Sequence, residues 1–272
     1  MSGAWRRAAK AVVPAPLRAL ARTWFGWRWF EGDYPTWAAA RAASGGYDDA
    51  AIVARVAAAT RAVRDGAAAY ERDGVTFAEP APEPGLLEAL RLAAGGGPLR
   101  VRDFGGALGT TSWRHRRELA AFPGLAWDVV EQPAFVAAGP EFAAGTPLRF
   151  FPSVAAAEAA GPHDVVLAST ALQYLPDPAA ELAAWQAHGF PWILLNNLPL
   201  HERAPDRIAV QRVPPEIYSA SYPVWFFNRE KFLARFEGRY ELVHEFAAEA
   251  VWPVDRRRYA STGLLWRRKG AR

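Results

Sequence analysis

The run Val101-Arg102-Asp103-Phe104-Gly105-Gly106-Ala107-Leu108-Gly109 constrains this chain more than any other stretch. It begins with strand-like residues, meets an acid, turns through glycines and passes at Thr110 into a helix-like segment. Glycines let backbone N–H groups approach a ligand closely, and a following helix adds the positive end of its dipole. A strand, a glycine turn and a helix in this order form the entrance to a nucleotide-like site.

The residues downstream repeat the strand-then-helix order. Strand candidates are Leu99 to Phe104, Ala126 to Glu131, Pro147 to Phe151, Asp164 to Ser169 and Trp192 to Asn196. Helical stretches between them are Ser112 to Phe122, Pro133 to Ala144, Val154 to Ala160 and Pro178 to His188. Short apolar strands joined by helical crossovers predict a parallel sheet covered on both faces. The end of the chain differs: Asn228 can cap a helix from Arg229 to Phe236, and the strands Tyr240 to Phe246 and Ala260 to Arg267 follow with no helix between them. Those two strands are expected to pair antiparallel through the loop Pro253 to Arg258. The expected fold class is therefore α/β, a Rossmann-like seven-stranded sheet with an antiparallel last strand.

Upstream, an aromatic segment holds Trp24, Phe25, Trp27, Trp29, Phe30, Tyr34 and Trp37, which can pack on the body as a structural lid or form a substrate wall. Asp48 can cap a helix with apolar positions at Ile52, Val56, Ala59, Val63, Ala67 and Tyr70, spaced by threes and fours. A proline-rich stretch from Glu79 to Pro84 precedes a second helix through Leu86, Leu87 and Leu90, closed by Gly95 to Gly97. Residues 1–95 thus read as a basic arm, an aromatic segment and an N-terminal helical cap, and residues 96–272 as the main domain with an insertion at 197–227.

Charge is unevenly placed. The formal net charge is +4, yet Arg6, Arg7, Lys10, Arg18, Arg22 and Arg28 all precede the first acid, Glu31, so the rest of the chain is slightly acidic. The body therefore offers no case for nucleic-acid binding. The basic arm, with Trp5, Leu17, Leu20, Trp24 and Phe25 among its cations, suits peripheral contact with an anionic membrane or packing on the body. No apolar run is long enough to span a bilayer. The absence of cysteine removes disulfides and thiolate metal sites and fits a reducing, cytoplasmic setting. The five histidines have no metal-ligand spacing, so no metal site is expected.

Register decides between two cofactor classes. A dinucleotide fingerprint needs glycines at its first, third and sixth positions. Registered on Gly106 and Gly109 it finds Phe104, and registered on Gly105 it finds Ala107 and Thr110. An acid followed by small residues at every second position is met by Asp103, Gly105, Ala107 and Gly109. In that pattern the acid can accept from a cationic amino group while the turn carries backbone to the ligand.

This second pattern resembles the first motif of class I S-adenosylmethionine-dependent methyltransferases. A closer resemblance covers most of the chain. Asp103-Phe104-Gly105-Gly106, Val129-Val130-Glu131-Gln132-Pro133, Leu172-Gln173-Tyr174-Leu175, Asp206 to Gln211 and Ser221 to Phe227 look like a family of bacterial methyltransferases that accompany surface-polysaccharide biosynthesis. Gly46 to Asp49 and Ala69 to Asp73 extend it into the cap. The resemblance implies S-adenosylmethionine as cofactor, held by Asp103, Gly105, Gly106 and Gly109. It implies Glu131 on the ribose hydroxyls, Ser153 near the adenine, and Ser169 and Gln173 along the methionine portion. Ala107 departs from the middle glycine of the pattern, which is tolerable if φ stays negative.

Family context makes the acceptor an oxygen of a sugar or glycan intermediate. The insertion 197–227 follows the carboxyl end of a strand, where such sheets place ligands. Its His201 is the candidate general base, since an ordinary histidine pKa suits proton transfer near neutrality; a solvated loop histidine is the alternative. Asp206, Arg207 and Tyr222 are substrate candidates, with an Asp206–Arg207 ion pair and a packed loop as alternatives. His115, among Arg114, Arg116 and Arg117, reads as a solvated basic face. A non-catalytic S-adenosylmethionine-binding scaffold and a dinucleotide oxidoreductase are the competing functions.

Overall fold

The computed structural model describes residues 29–46, 49–203, 205–214, 220–254 and 257–271. The basic arm, Asp48, Tyr218 and Arg256 lie outside them.

The described chain opens with β1 (Phe30–Tyr34), the helices Trp37–Ala42 and Asp49–Arg64, and the hairpin β2 (Tyr70–Arg72) and β3 (Val75–Phe77). Helix Asp49–Arg64 buries Val56, Ala59 and Val63 along one face. Ala67 and Tyr70, expected to continue that stripe, lie past the helix end, with Ala67 exposed and Tyr70 starting β2. Asp73 and Gly74, at φ 54° and 71°, form the hairpin turn. Two consecutive positive φ values match the twist of the flanking strands, and Asp-Gly adopts them readily.

Helix Pro84–Ala94 follows, stopped by Gly95 at φ 55°. It belongs to the α/β body, which corrects its placement in the cap. Leu86, Leu87 and Leu90 pack against Val101, Trp127, Val129, Val165 and Leu194 of the sheet. Burying each such leucine is worth about 1.5–3 kcal/mol, so the body begins at Pro84.

The parallel strands are β4 (Arg100–Phe104), β5 (Ala126–Val130), β6 (Leu148–Phe151), β7 (Val165–Ser169) and β8 (Trp192–Leu198). After β8 come β9 (Leu200–His201), β10 (Arg207–Arg212) and β11 (Ser221–Asn228). Helix Arg229–Ala234 is capped by the Asn228 side chain, which accepts from Lys231 N–H at 2.9 Å. The long antiparallel pair β12 (Tyr240–Val254) and β13 (Arg257–Arg268) closes the chain.

Among the described residues the main sheet has eleven strands in the order β6-β5-β4-β7-β8-β13-β12-β1-β10-β11-β9. The first seven are the expected unit, and β13 enters it antiparallel to both β8 and β12. The other four correct the expected count. The insertion is sheet: β10 pairs with β11 over six residues and with β1 from the aromatic segment. Proline in a run argues against a paired strand, and Pro223 lies inside β11 opposite Val210. That residue hid the strand from a sequence reading. The cap is likewise mixed, contributing one strand to the main sheet as well as helices.

Two apolar layers sandwich the parallel strands. One is the layer under helix Pro84–Ala94. The other packs Leu182 and Trp185 of helix Pro178–His188 and Phe232 against Val166, Ile193 and Leu195.

Candidate functional site

β5 lies on one side of β4 and β7 on the other, so the chain's direction of winding reverses at β4. In open parallel sheets the crevice outside such a reversal receives ligands. The glycine turn, Glu131, Ser153, Ser169, Gln173 and Asn196 all lie at or just beyond the carboxyl ends of β4 to β8.

Asp103, on β4, is fully buried. Trp127 Nε1–H donates to its Oδ2 at 2.8 Å, while Oδ1 is buried without a hydrogen-bond partner. Burial pushes the carboxyl up to about 7; the Trp127 bond opposes this and the nearby Glu131 charge adds to it. A Cβ at Gly106 would collide with the Asp103 carboxyl, so glycine there lets the turn fold over the acid. Gly105 has φ 71°, and a Cβ on it would meet the Ala171 Cβ at 2.8 Å. Ala107 has φ 52°, which contradicts the negative φ expected of it and puts a Cβ in the left-handed region. Leu108 is pinned by Val56 and Ala57 of the cap helix and by Phe135 and Phe142. The helix after the turn is short, Thr110–Arg114, and breaks at His115 before Arg116–Leu119. The single long crossover helix expected there, and its dipole, are therefore absent.

Glu131 follows β5 directly and is half-buried, its Oε2 accepting from Gln132 N–H at 2.5 Å. Ser153 follows β6, is exposed, and caps helix Val154–Ala159 by accepting from Ala156 N–H at 3.2 Å. Ser169 Oγ accepts from Asn196 Nδ2 at 3.1 Å. Gln173 is fully buried and donates to the Asn197 carbonyl at 3.4 Å, leaving Oε1 without a hydrogen-bond partner.

Strain gathers at the same edge. Besides Asp73 in its hairpin turn, the described non-glycine residues with positive φ are Ala107, Thr170 and Asn197, beyond β4, beyond β7 and near the end of β8. Such conformations cost about 1–3 kcal/mol each and cluster at ligand sites. Asn197 Oδ1 offsets its own cost by accepting from Ala250 N–H at 3.0 Å and Ser261 Oγ–H at 3.1 Å.

Two acids behind the cleft escaped the sequence reading. Glu71, on β2, is buried, accepts from the Thr110 hydroxyl at the end of the glycine turn, and accepts from Gly74 N–H at 3.1 Å. Burial pushes it up to about 7, against those two hydrogen bonds. Glu83 contacts His115 Nε2 at 3.3 Å and Arg114 at 3.4 Å, and Asn196 Nδ2 donates to it at 3.3 Å. Burial would raise its pKa, but His115, Arg114 and Asn196 together hold it below the usual range. His115 is fully buried and the Arg114 side chain is 7% exposed, so these two turn inward on Glu83, while Arg117 of the expected basic face is exposed. Glu83 sits among prolines that read only as a turn, and nothing in its spacing signalled this role.

The insertion candidates separate. His201 Nε2–H donates to the Phe226 carbonyl at 3.2 Å and Nδ1 accepts from Arg203 N–H at 3.1 Å. Both ring nitrogens of His201 are thus engaged by backbone, so a role as base requires the Arg203 N–H bond to Nδ1 to open. Asp206 accepts from Asn228 N–H at 2.6 Å and lies 3.5 Å from Arg235. Arg207 donates to the Gly32 carbonyl, so each of the two ties the insertion down through its own partners. Tyr222 meets Tyr174 edge-on at 5.3 Å, and the Tyr174 hydroxyl donates to Gln211 Oε1 at 2.6 Å. Tyr222 thereby reaches the turn beyond β7.

No protein-family model matches the sequence, and no curated protein matches it either. Among solved structures, the N-terminal domain of EvdMO1 with SAH bound is similar at 17% identity and a TM-score of 0.47, over 82% of this chain and 98% of that one. Magnesium protoporphyrin IX methyltransferase (ChlM) from Synechocystis PCC 6803 with bound SAH is similar at 13% identity and 0.46, over 68% and 81%. The mitomycin 7-O-methyltransferase MmcR is similar at 19% identity and 0.42, over 68% and 54%. Likeness this distant leaves the chemistry to be read from the chain's own residues.

Proposed function

We propose that the chain binds S-adenosylmethionine and transfers its methyl group to an oxygen of a sugar or glycan intermediate. The observation that carries this is the Asp103 carboxylate under its glycine turn, with Oδ1 buried and lacking a hydrogen-bond partner at the winding reversal of the sheet. A buried acceptor without a donor is costly, and a ligand ammonium would relieve that cost. The antiparallel β13 within the seven-strand unit supports the same reading over a dinucleotide site.

Asp103 and the turn Gly105–Gly109 would hold the methionine portion, with the Gln173 amide along it. Glu131 would accept from the ribose hydroxyls. Ser153 would lie by the adenine, its hydroxyl shared with the helix it caps. When bound, the cofactor supplies a methyl group on a positively charged sulfur, so the protein has no electrophile to generate. Its own tasks are to hold the acceptor oxygen in line, to exclude competing water, and to pass on to a side chain or to solvent the proton the hydroxyl releases as the oxygen–methyl bond forms and the sulfur–methyl bond breaks. The sugar or glycan acceptor is supported by the sequence resemblance to methyltransferases of polysaccharide biosynthesis.

Calorimetric titration with S-adenosylhomocysteine tests the cofactor. Transfer of labelled methyl into fractionated glycan intermediates tests the reaction and separates an enzyme from a scaffold. The expected product carries label that survives alkali, as an ether does and an ester does not. No heat of binding overturns the cofactor assignment, and binding without transfer to any glycan fraction overturns the acceptor.

A further inference from the structure

A cavity of about 200 Å³ lies between the β2–β3 hairpin and the sheet extension, lined by Trp29, Arg72, Asp73, Val75, Phe77, Gln211 and Val213. Of these residues, Trp29 belongs to the aromatic segment whose sequence suits a lid or a substrate wall. Both walls are fastened to the cofactor cleft. On the hairpin side, Glu71 precedes Arg72 and accepts from Thr110, which follows Gly109. On the sheet side, Gln211 accepts from Tyr174, which follows Gln173.

We propose that this cavity is the acceptor site and that it takes one uncharged pyranose ring. The assignment rests on the methyl-transfer reading above. Size narrows the class, because drug-sized or polycyclic ligands occupy about 300–1,000 Å³. The lining narrows it further. Trp29 offers a ring surface for the C–H face of a sugar, and Asp73 and Gln211 offer planar polar groups suited to neighbouring hydroxyls. With Gln211 Oε1 accepting from Tyr174, its amide NH₂ remains as a donor. Arg72 does not mark an anion site, since its guanidinium lies 3.3 Å from Glu249 and over the Phe77 ring at 5.5 Å. With Arg72 so paired, it is not left over to hold an anionic ligand.

Saturation-transfer NMR tests the proposal, using methyl α-D-glucopyranoside and methyl β-D-galactopyranoside as probes, with glucuronate and catechol as competing classes. Each is run with and without S-adenosylhomocysteine, whose binding is followed by calorimetry in the same samples. Transfer to the pyranoside ring protons is expected in the wild type. Val75→Trp, which fills the cavity, should abolish it with cofactor binding intact. Asp73→Asn keeps a residue tolerant of positive φ and should weaken it at least about fivefold. Absence of transfer to either pyranoside, equal transfer in Val75→Trp, or transfer to glucuronate or catechol alone overturns the cavity assignment. Pyranoside transfer lost in Val75→Trp with no heat from S-adenosylhomocysteine keeps the sugar site and overturns the methyl-transfer reading instead.

Discussion

The Trp127 indole N–H donates to Asp103 Oδ2 at 2.8 Å, and it is the only hydrogen bond the Asp103 carboxylate receives from described residues. The two side chains come from adjacent strands, and Trp127 lies in the layer under helix Pro84–Ala94. Trp127→Phe would leave both carboxylate oxygens bare. A hydrogen bond to a charged group is worth about 1.5–3 kcal/mol, so that much stability should be lost above pH 7, where Asp103 is ionised. Well below pH 7, where it is protonated, the loss should be much smaller. Urea denaturation at pH 5.5 and pH 8.5 checks this, and equal losses at the two values would reject it.

Cofactor binding should depend on pH with a definite sign. The folded-state pKa of Asp103 is raised to about 7 from 3.8, so the ligand-free fold holds a proton that the unfolded chain releases. Its stability therefore falls as pH rises from about 4 to about 7 and levels off above that. A ligand ammonium favours the ionised carboxylate, so affinity for S-adenosylhomocysteine should rise with pH up to about 7 and then flatten. Below 7 each unit costs at most about tenfold. Calorimetry across pH 5.5 to 8.5 measures the profile. Asp103→Asn should flatten it, and a wild-type profile already flat would remove Asp103 from ammonium binding.

Glu131→Ala should weaken S-adenosylhomocysteine binding by roughly 10- to 100-fold, the equivalent of one hydrogen bond to a charged group. The residue is half-buried just beyond β5 and packs no core cluster, so the fold should survive. Unchanged affinity in a variant with a native circular dichroism spectrum would show that Glu131 does not touch the ligand.

Ala107→Gly should stabilise the ligand-free protein by about 1 kcal/mol. Its φ of 52° forces a Cβ into the left-handed region, at a cost of about 1–2 kcal/mol. The greater freedom of glycine in the unfolded chain takes back about 0.4–1 kcal/mol. Chemical denaturation reads the net change, and a lower midpoint for the glycine variant would show that the turn is not strained at this residue.

The five parallel strands and their crossovers were legible because each strand is a short apolar run bounded by turn residues, and the structure moves their ends by one or two residues. The antiparallel ending was legible for a different reason: no helical pattern separates Tyr240 from Arg267. Strands β1, β10 and β11 were not legible. β1 and β10 pair with each other from far apart in sequence, Phe30 with Gln211 for example, and period alone does not reveal such a partner; β11 carries Pro223 within its run. Cofactor-side residues could be named because a turn motif ties chemistry to position over a few residues. His201 suggested a base by its type alone, because its surroundings, the Phe226 carbonyl and the Arg203 N–H, are set by the fold of the insertion and were not legible. Glu71 and Glu83 acquire their roles only when the cap hairpin and the proline-rich turn fold against the glycine loop.

Asn197 joins the end of β8 to the β12–β13 pair, and its two functions can be separated. Its side chain accepts from Ala250 N–H and Ser261 Oγ–H, and its backbone sits at φ 58°. Asn197→Gly keeps the backbone conformation and loses both hydrogen bonds, at about 1 kcal/mol each. Asn197→Ala loses the same bonds and adds a Cβ where asparagine's local bonding no longer compensates, so it should cost about 1 kcal/mol more than the glycine variant. The Gln173 amide donates to the Asn197 carbonyl, so displacement of that carbonyl in the alanine variant should also loosen the turn beyond β7. Denaturation of the two variants in parallel, with hydrogen exchange over residues 170–175, measures both effects. Equal stabilities would show that the backbone at Asn197 is unstrained, and unchanged exchange would show that its carbonyl does not hold the turn.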